Sequence, residues 1–207
     1  MGPRAGSRRT GVLRLSLAIG GAALVGLGVL AIIAAVEGAD GLTRILGVLG
    51  RIWEMTFTVA LIPILGALSL VCAAVRSLGA WVFAALTALA LGTAALIALL
   101  RIAGLVEVFL PLANWLPGTI LVAIWGWVAA RAAVREEWLA PAARRVAGAL
   151  LIAQITLLAL ASGAVLVAGT GSPAVNISAG AASGGIWITV GVMWLAGAAR
   201  WGQGVRV

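Results

Sequence analysis

The chain has no histidine, lysine or tyrosine, and only one cysteine and one aspartate occur among its 207 residues. Without histidine it lacks a common metal ligand and the side chain that most often serves as a general base. Without lysine it cannot form a Schiff base. The single cysteine, Cys72, cannot form an internal disulfide or a site with several thiolate ligands. These absences predict that the protein is not an enzyme and holds no metal or other cofactor.

Charged side chains are also scarce, at 10% of residues, whereas hydrophobic residues make up 63% and the mean hydropathy is +1.19. Soluble domains are typically about 45–50% apolar and about 25% charged. The composition therefore predicts an integral membrane protein. The net charge of +8 comes from arginines at the ends of apolar runs, a pattern typical of membrane orientation and not of nucleic-acid binding.

Apolar sequence is abundant, in runs long enough to cross a bilayer, which takes about 20 helical residues. The runs predict an all-α, polytopic transmembrane helix bundle with about six crossings, between a leader (1–14) and a tail (200–207) in the cytoplasm. The predicted crossings are residues 15–36, 52–75, 80–100, 116–130, 146–168 and 184–199. Residues 169–185, rich in glycine, serine and alanine, are predicted to form a loop before a short last crossing.

The segment from Arg101 to Arg131 differs from the other apolar runs because it contains Pro111, Pro117 and the ionisable Glu107. Its 29 residues between the two arginines exceed one straight crossing. We expect residues 102–112 to be interfacial, re-entrant or part of a long kinked helix before the fourth crossing. Polar groups inside a membrane are costly and often functional. The candidate intramembrane polar site consists of Glu107, Asn114, Gln154 and Glu54.

Small residues recur at every fourth position in two of the predicted crossings. Such stripes let helix backbones approach closely in lipid, where packing drives helix association. A shorter stripe in the first crossing consists of Ala18, Ala22 and Gly26. The longest stripe, in the third crossing, consists of Ala80, Ala84, Ala88 and Gly92. We predict that the longest stripe is a close helix–helix contact.

The arginines predict the orientation of the chain. Six crossings place both termini on one side of the membrane, with eleven of the fourteen arginines. The positive-inside rule assigns that side to the cytoplasm. The use of arginine alone as the basic residue, with excess alanine, glycine, valine and leucine, suggests a GC-rich bacterial genome and hence the bacterial plasma membrane. The candidate anionic-lipid contacts are Arg131, Arg135, Arg144 and Arg145.

Two segments carry a resemblance to known proteins. The arginine-rich turn, the sequence PAARRVAG from Pro141 to Gly148 and the long apolar helix after it resemble the second half of small six-helix actinobacterial membrane proteins of unknown function. The segment RRTGVLR from Arg8 to Arg14 is similar to their N-terminal segment. The resemblance covers most of the chain in layout and implies a six-helix bundle. It implies no known activity and assigns no functional residues.

Three functions are compatible with these patterns. The stripes, the nine tryptophans and the scarcity of polar groups favour a non-catalytic accessory, scaffold or assembly component of the membrane. Glu107 in a proline-broken segment favours a small transporter or channel as an alternative. The arginines of the polar turn favour an anionic-lipid-binding protein as a third possibility. The expected partners are membrane lipids, with other membrane subunits or a second copy of the chain as alternatives.

Overall fold

The computed structural model describes residues 4–40, 78–104, 124, 140–168 and 173–201. Four helices make up nearly all of this part of the chain. They are α1 (Arg4–Asp40), α2 (Leu78–Ile102), α3 (Pro141–Ala168) and α4 (Pro173–Trp201). The predicted second and fourth crossings, residues 52–75 and 116–130, lie outside the described residues except for Ile124, which is helical.

Three of these helices are long and apolar enough to cross a membrane. The candidate spans are Arg14–Ile33 in α1, Pro141–Ala164 in α3 and Ile177–Arg200 in α4. Helix α2 has no charged side chain before Arg101 and contains the predicted third crossing. The described part of the chain is therefore all-helical and has the character of a membrane protein.

The helix ends follow local backbone chemistry. Helices α3 and α4 both begin with proline, at Pro141 and Pro173, because proline suits a first helical position, where the backbone N–H has no partner. The carbonyl of Ala140 accepts the Arg144 N–H at 3.1 Å and so starts the bonding pattern of α3. Helix α2 ends two residues before Gly104, whose φ of +70° is the left-handed conformation that follows the end of many helices.

Helix α4 lies between α1 and α3. It contacts both of them, and among the described helices these are the only two pairs in contact. The span of α4 is accordingly 56% buried, compared with 33% for α1 and 28% for α3. The largest fully buried side chains in the described residues are Leu17, Leu24 and Leu27 of α1, Ile186, Trp187 and Val190 of α4, and Thr87 of α2.

Both neighbours run antiparallel to α4. Gly21 of α1 faces Gly191, and seven residues later Gly28 faces Gly184, so the two chains run in opposite directions. Only residues 169–172 join α3 to α4. Gln154 of α3 contacts Gly185 of α4. Because the two residues are at similar distances along the chain from the link, α3 and α4 form an antiparallel helical hairpin.

The start of α4 corrects the sequence-based prediction of a loop. Residues 173–185 are helical, and the helix begins eleven residues before the predicted start at 184. A run rich in glycine, serine and alanine predicts a loop in a water-soluble protein. Here its small residues allow close helix packing, since Gly180 and Gly184 pack against α1. Helix α1 begins at Arg4, inside the predicted leader, whose position in the cytoplasm stays a prediction.

Candidate functional site

Helices α1 and α4 approach each other at backbone distance through two pairs of glycines. A Cβ placed on Gly21 would lie 2.8 Å from the carbonyl oxygen of Gly191, and one on Gly191 would lie 2.6 Å from the oxygen of Gly21. A Cβ on Gly28 would lie 2.5 Å from the oxygen of Gly184, and the reverse contact is equally tight. Only the hydrogen of glycine fits these positions. We call these four residues the glycine seam.

The contact continues beyond the glycine seam towards the start of α4, where a Cβ on Gly180 would overlap the side chain of Ala35. Such close approach is typical of helices in lipid, where dispersion contacts and weak Cα–H···O bonds replace the hydrophobic effect as the cause of association. Fully buried Leu17 and Leu24 lie on α1 beside the seam glycines. The seam therefore fixes both the distance and the register of these two helices.

The packing residues of α1 are not those of the stripe predicted at Ala18, Ala22 and Gly26. Ala22 and Gly26 are exposed, and no atom lies within 4 Å of a Cβ built on Gly26. A spacing of seven, not four, marks the packing face. The signal is present in the sequence as one glycine pair spaced by seven in the first helix and a matching pair in the last.

The stripe predicted on α2 stays a prediction. Ala88 is half-buried, and a Cβ built on Gly92 meets no atom within 4 Å. The side chains of Ala80 and Ala84 lie outside the described set. Among the described helices α2 contacts none of the other three.

The contact of α3 with α4 contains a polar pair. The Gln154 Nε2 donates to Thr189 Oγ1, and the same hydroxyl donates to Gln154 Oε1, both at 3.2 Å. Gly185, one turn before Thr189, makes room for the amide, because a Cβ there would lie 2.8 Å from Nε2. The two polar residues lie near the middle of the spans Pro141–Ala164 and Ile177–Arg200. We call Gln154, Thr189 and Gly185 the amide clamp.

Four other hydroxyl groups in the described helices bond within their own helices. The hydroxyls of Thr93, Thr156, Ser162 and Ser178 donate to carbonyls four residues earlier at 2.7–2.9 Å. Such bonds are the usual way for serine and threonine to satisfy a hydroxyl inside an apolar helix. Thr189 instead bonds across to α3, so the amide clamp is a polar link between two different helices.

Of the predicted intramembrane polar site, the structure places Gln154 and pairs it with Thr189. The other three members, Glu54, Glu107 and Asn114, lie outside the described residues. Sequence reasoning did not identify Thr189. Its signal is Gly185 one turn earlier, since a glycine there leaves space for a long polar side chain from a neighbouring helix.

Four arginines from three helices lie at one level of the structure. Gly21 of α1 contacts Gly191 of α4, and the two helices are antiparallel. Arg14, seven residues before Gly21, therefore lies at the level of position 198, seven residues after Gly191. Gln154 of α3 contacts positions 185 and 189 of α4. Arg144 lies ten residues before Gln154, so in this antiparallel pair it lies at the level of positions 195–199. Arg145 and Arg200 are adjacent to these levels. We call Arg14, Arg144, Arg145 and Arg200 the arginine tier.

Two further candidate lipid contacts, Arg131 and Arg135, lie outside the described residues. Within the tier, Arg144 is half-buried and the other three side chains are exposed.

Tryptophans recur at a spacing of seven in the last helix. Trp187 and Trp194 are only 1% and 6% exposed, so these two are packing residues.

The described side chains offer hydrogen bonding and positive charge, and no group of three metal-ligating side chains occurs among the described residues. The chain was compared with protein families, with curated proteins and with solved structures, and none of the three comparisons gives a match. The features of the described residues that bear on function are the glycine seam, the amide clamp and the arginine tier.

Proposed function

We propose that the protein is a six-crossing membrane protein that acts as a non-catalytic accessory, scaffold or assembly component. The observation that carries the proposal is the glycine seam, which joins the first and last described helices at backbone distance. A protein whose helices open a path for solutes would need mobile contacts between them. Contact between backbones instead favours a rigid body that holds other components.

The use of polar groups in the spans supports the same function. Gln154 and Thr189 satisfy each other, and the hydroxyl of Thr156 bonds to its own helix. A solute pathway needs several polar groups that face one cavity. In the described spans these polar groups instead stabilise the helices and their packing.

The outer surfaces of the helices supply the area on which partners could dock. Large apolar side chains are exposed on α1 and α3, including Ile33, Leu160 and Val167. In a membrane such faces meet either lipid or the apolar helices of another subunit. The scaffold function requires that at least one of them meets a subunit.

Charge supports an orientation with both termini in the cytoplasm of a bacterium. At one end of the three packed helices lies the arginine tier, and α1 continues past it with Arg4, Arg8 and Arg9. At the opposite end of α1 lie Glu37 and Asp40. The positive-inside rule assigns the arginine end to the cytoplasm.

Site-directed photo-crosslinking tests the scaffold function with a matched pair of positions on α3. Leu160 is 67% exposed and Leu158 is 2% exposed. A photoreactive phenylalanine analogue at Leu160 should yield a specific crosslink to another membrane protein in native membranes, and the same analogue at Leu158 should not. The intact complex, extracted gently, should have a mass that is not a whole-number multiple of the 20.8 kDa chain.

A complex that contains only this chain would contradict the scaffold function and favour the transport alternative. Measurement of ion flux in reconstituted vesicles would then test the transport alternative. Glu107→Gln should abolish flux if Glu107 lies on an ion pathway, and unchanged flux would remove it from the pathway.

Cysteine accessibility tests the orientation separately. In a Cys72→Ala background, Ser7→Cys and Gln203→Cys should resist an impermeant thiol reagent in intact cells. Thr170→Cys, in the link between α3 and α4, should react. Labelling at either terminal position would contradict the proposed orientation.

A further inference from the structure

The arginine tier gathers charge from helices that are far apart in the sequence. Arg14 belongs to the first described helix, Arg144 and Arg145 to the third, and Arg200 to the last. In the register set by the glycine seam and the amide clamp, the four arginines fall within about four residues along α4. At about 1.5 Å per helical residue this is a layer only about 6 Å thick.

The described residues place no carboxylate in this layer. Their acidic residues are Glu37 and Asp40, at the far end of α1. Glu37 follows Arg14 by 23 residues, or about 35 Å of helix, close to the width of a bilayer. The four like charges raise the electrostatic energy of the tier. The positive end of the α3 dipole raises it further, and the negative end of the α4 dipole beside Arg200 lowers it. An anion bound there would lower that energy.

The depth of the tier indicates which anion fits. Arg14 and Arg200 are end residues of their spans, and Arg144 and Arg145 lie near the start of the span Pro141–Ala164, so the tier lies where an apolar core gives way to headgroups. Arg4 lies ten residues earlier on α1, about 15 Å farther along the helix axis and so in water beyond the headgroups. Arginine suits phosphate because its planar guanidinium can donate two parallel hydrogen bonds.

We propose that the arginine tier binds the phosphate of anionic lipid headgroups, such as those of phosphatidylglycerol, in the leaflet at this end of the helices. The inference is independent of the scaffold function. It also changes the lipid site expected from sequence, because it joins Arg144 and Arg145 to Arg14 and Arg200, which come from other helices.

Lipid titration of the purified full chain tests the assignment. The protein is held in phosphatidylcholine nanodiscs with increasing phosphatidylglycerol, and bound phosphatidylglycerol is counted by native mass spectrometry. Changing all four tier arginines to glutamine should weaken binding by at least about tenfold, since each charge near the surface contributes appreciably. Changing Arg4, Arg8 and Arg9 to glutamine removes charge from the same helix end but should weaken binding by less than about threefold.

Three outcomes would overturn the proposal. One is unchanged binding in the fourfold variant, and a second is an equal loss in the Arg4, Arg8 and Arg9 control, which would indicate diffuse attraction. The third is that inorganic phosphate, added to phosphatidylcholine nanodiscs, stabilises the wild-type chain as much as phosphatidylglycerol does. If the glutamine variant does not fold, the fourfold lysine variant should retain charge and lose part of the affinity, because lysine cannot form the paired bonds.

Discussion

Helix α4 is packed on two sides by two different means. Towards α1 it presents glycines, and the partner atoms are backbone carbonyl oxygens. Towards α3 it presents Gly185 and Thr189, and the partner is the flexible amide of Gln154. Gly184 and Gly185 are neighbours in sequence but belong to different contacts. The comparison shows that the same residue type can be rigidly required or adjustable, according to what it faces.

The physical difference lies in what can move. A backbone carbonyl in a helix can yield only if the whole helix shifts, whereas the end of a glutamine side chain can rotate away. We therefore expect substitutions in the glycine seam to lower the free energy of unfolding more than substitutions in the amide clamp do. The size of that difference can be measured.

The largest effect is expected for Gly184→Ala. The added Cβ would collide with the backbone oxygen of Gly28 and with the Ile32 side chain, so α1 and α4 must separate. We expect the free energy of unfolding to fall by about 1–3 kcal/mol, the usual cost of overpacking. SDS titration of the purified protein in mixed micelles measures this change.

Gly26→Ala is the matched control for that substitution. It changes the same residue type on α1, at a position where the added Cβ would meet no atom within 4 Å. Alanine is favoured over glycine inside helices, so stability should rise by about 0.5–1 kcal/mol. Equal losses for Gly184→Ala and Gly26→Ala would show that the seam has no special role.

A double-mutant cycle on the amide clamp should give the next effect. Gln154→Leu and Thr189→Val each remove one partner of the bonds at 3.2 Å. Hydrogen bonds between helices in membranes contribute about 0.6 kcal/mol on average and up to about 1.7. We expect a coupling energy in that range from unfolding in mixed micelles.

Thr156→Val supplies the control for the cycle. Its hydroxyl bonds to Ile152 of the same helix, so its effect should add to that of Thr189→Val without coupling. A coupling between Gln154 and Thr189 that is indistinguishable from zero would reduce the clamp to incidental contact.

Much of the described fold could be predicted from the sequence, because it depends on local composition. The predicted crossings at 15–36, 80–100 and 146–168 fall inside α1, α2 and α3. The six-crossing count itself stays a prediction, since two crossings lie largely outside the described residues. The start of α4 was predicted wrongly because rules for water-exposed chains treat runs of glycine and serine as loops. In lipid such runs are packing surfaces.

The contacts themselves could be predicted only in part. Gly21 and Gly28 have a visible spacing, but their pairing with Gly191 and Gly184 requires knowing that the first and last helices meet. Gln154 could be selected because an amide in an apolar run is unusual, whereas its partner depends on the register of the α3–α4 hairpin. Long-range pairing of this kind is not encoded in any single window of the sequence.

The smallest effect is expected for Gly185→Ala. The added Cβ would lie 2.8 Å from Gln154 Nε2, the end of a side chain that can rotate away. The gain in helix propensity and the displacement of the amide should nearly cancel, leaving the free energy of unfolding within about 0.5 kcal/mol of wild type. In a Gln154→Ala background the displaced group is absent, so the same substitution should stabilise by about 0.5–1 kcal/mol. A loss comparable to that of Gly184→Ala in both backgrounds would mean that Gly185, too, faces an immovable neighbour, and the distinction between the two sides of α4 would fail.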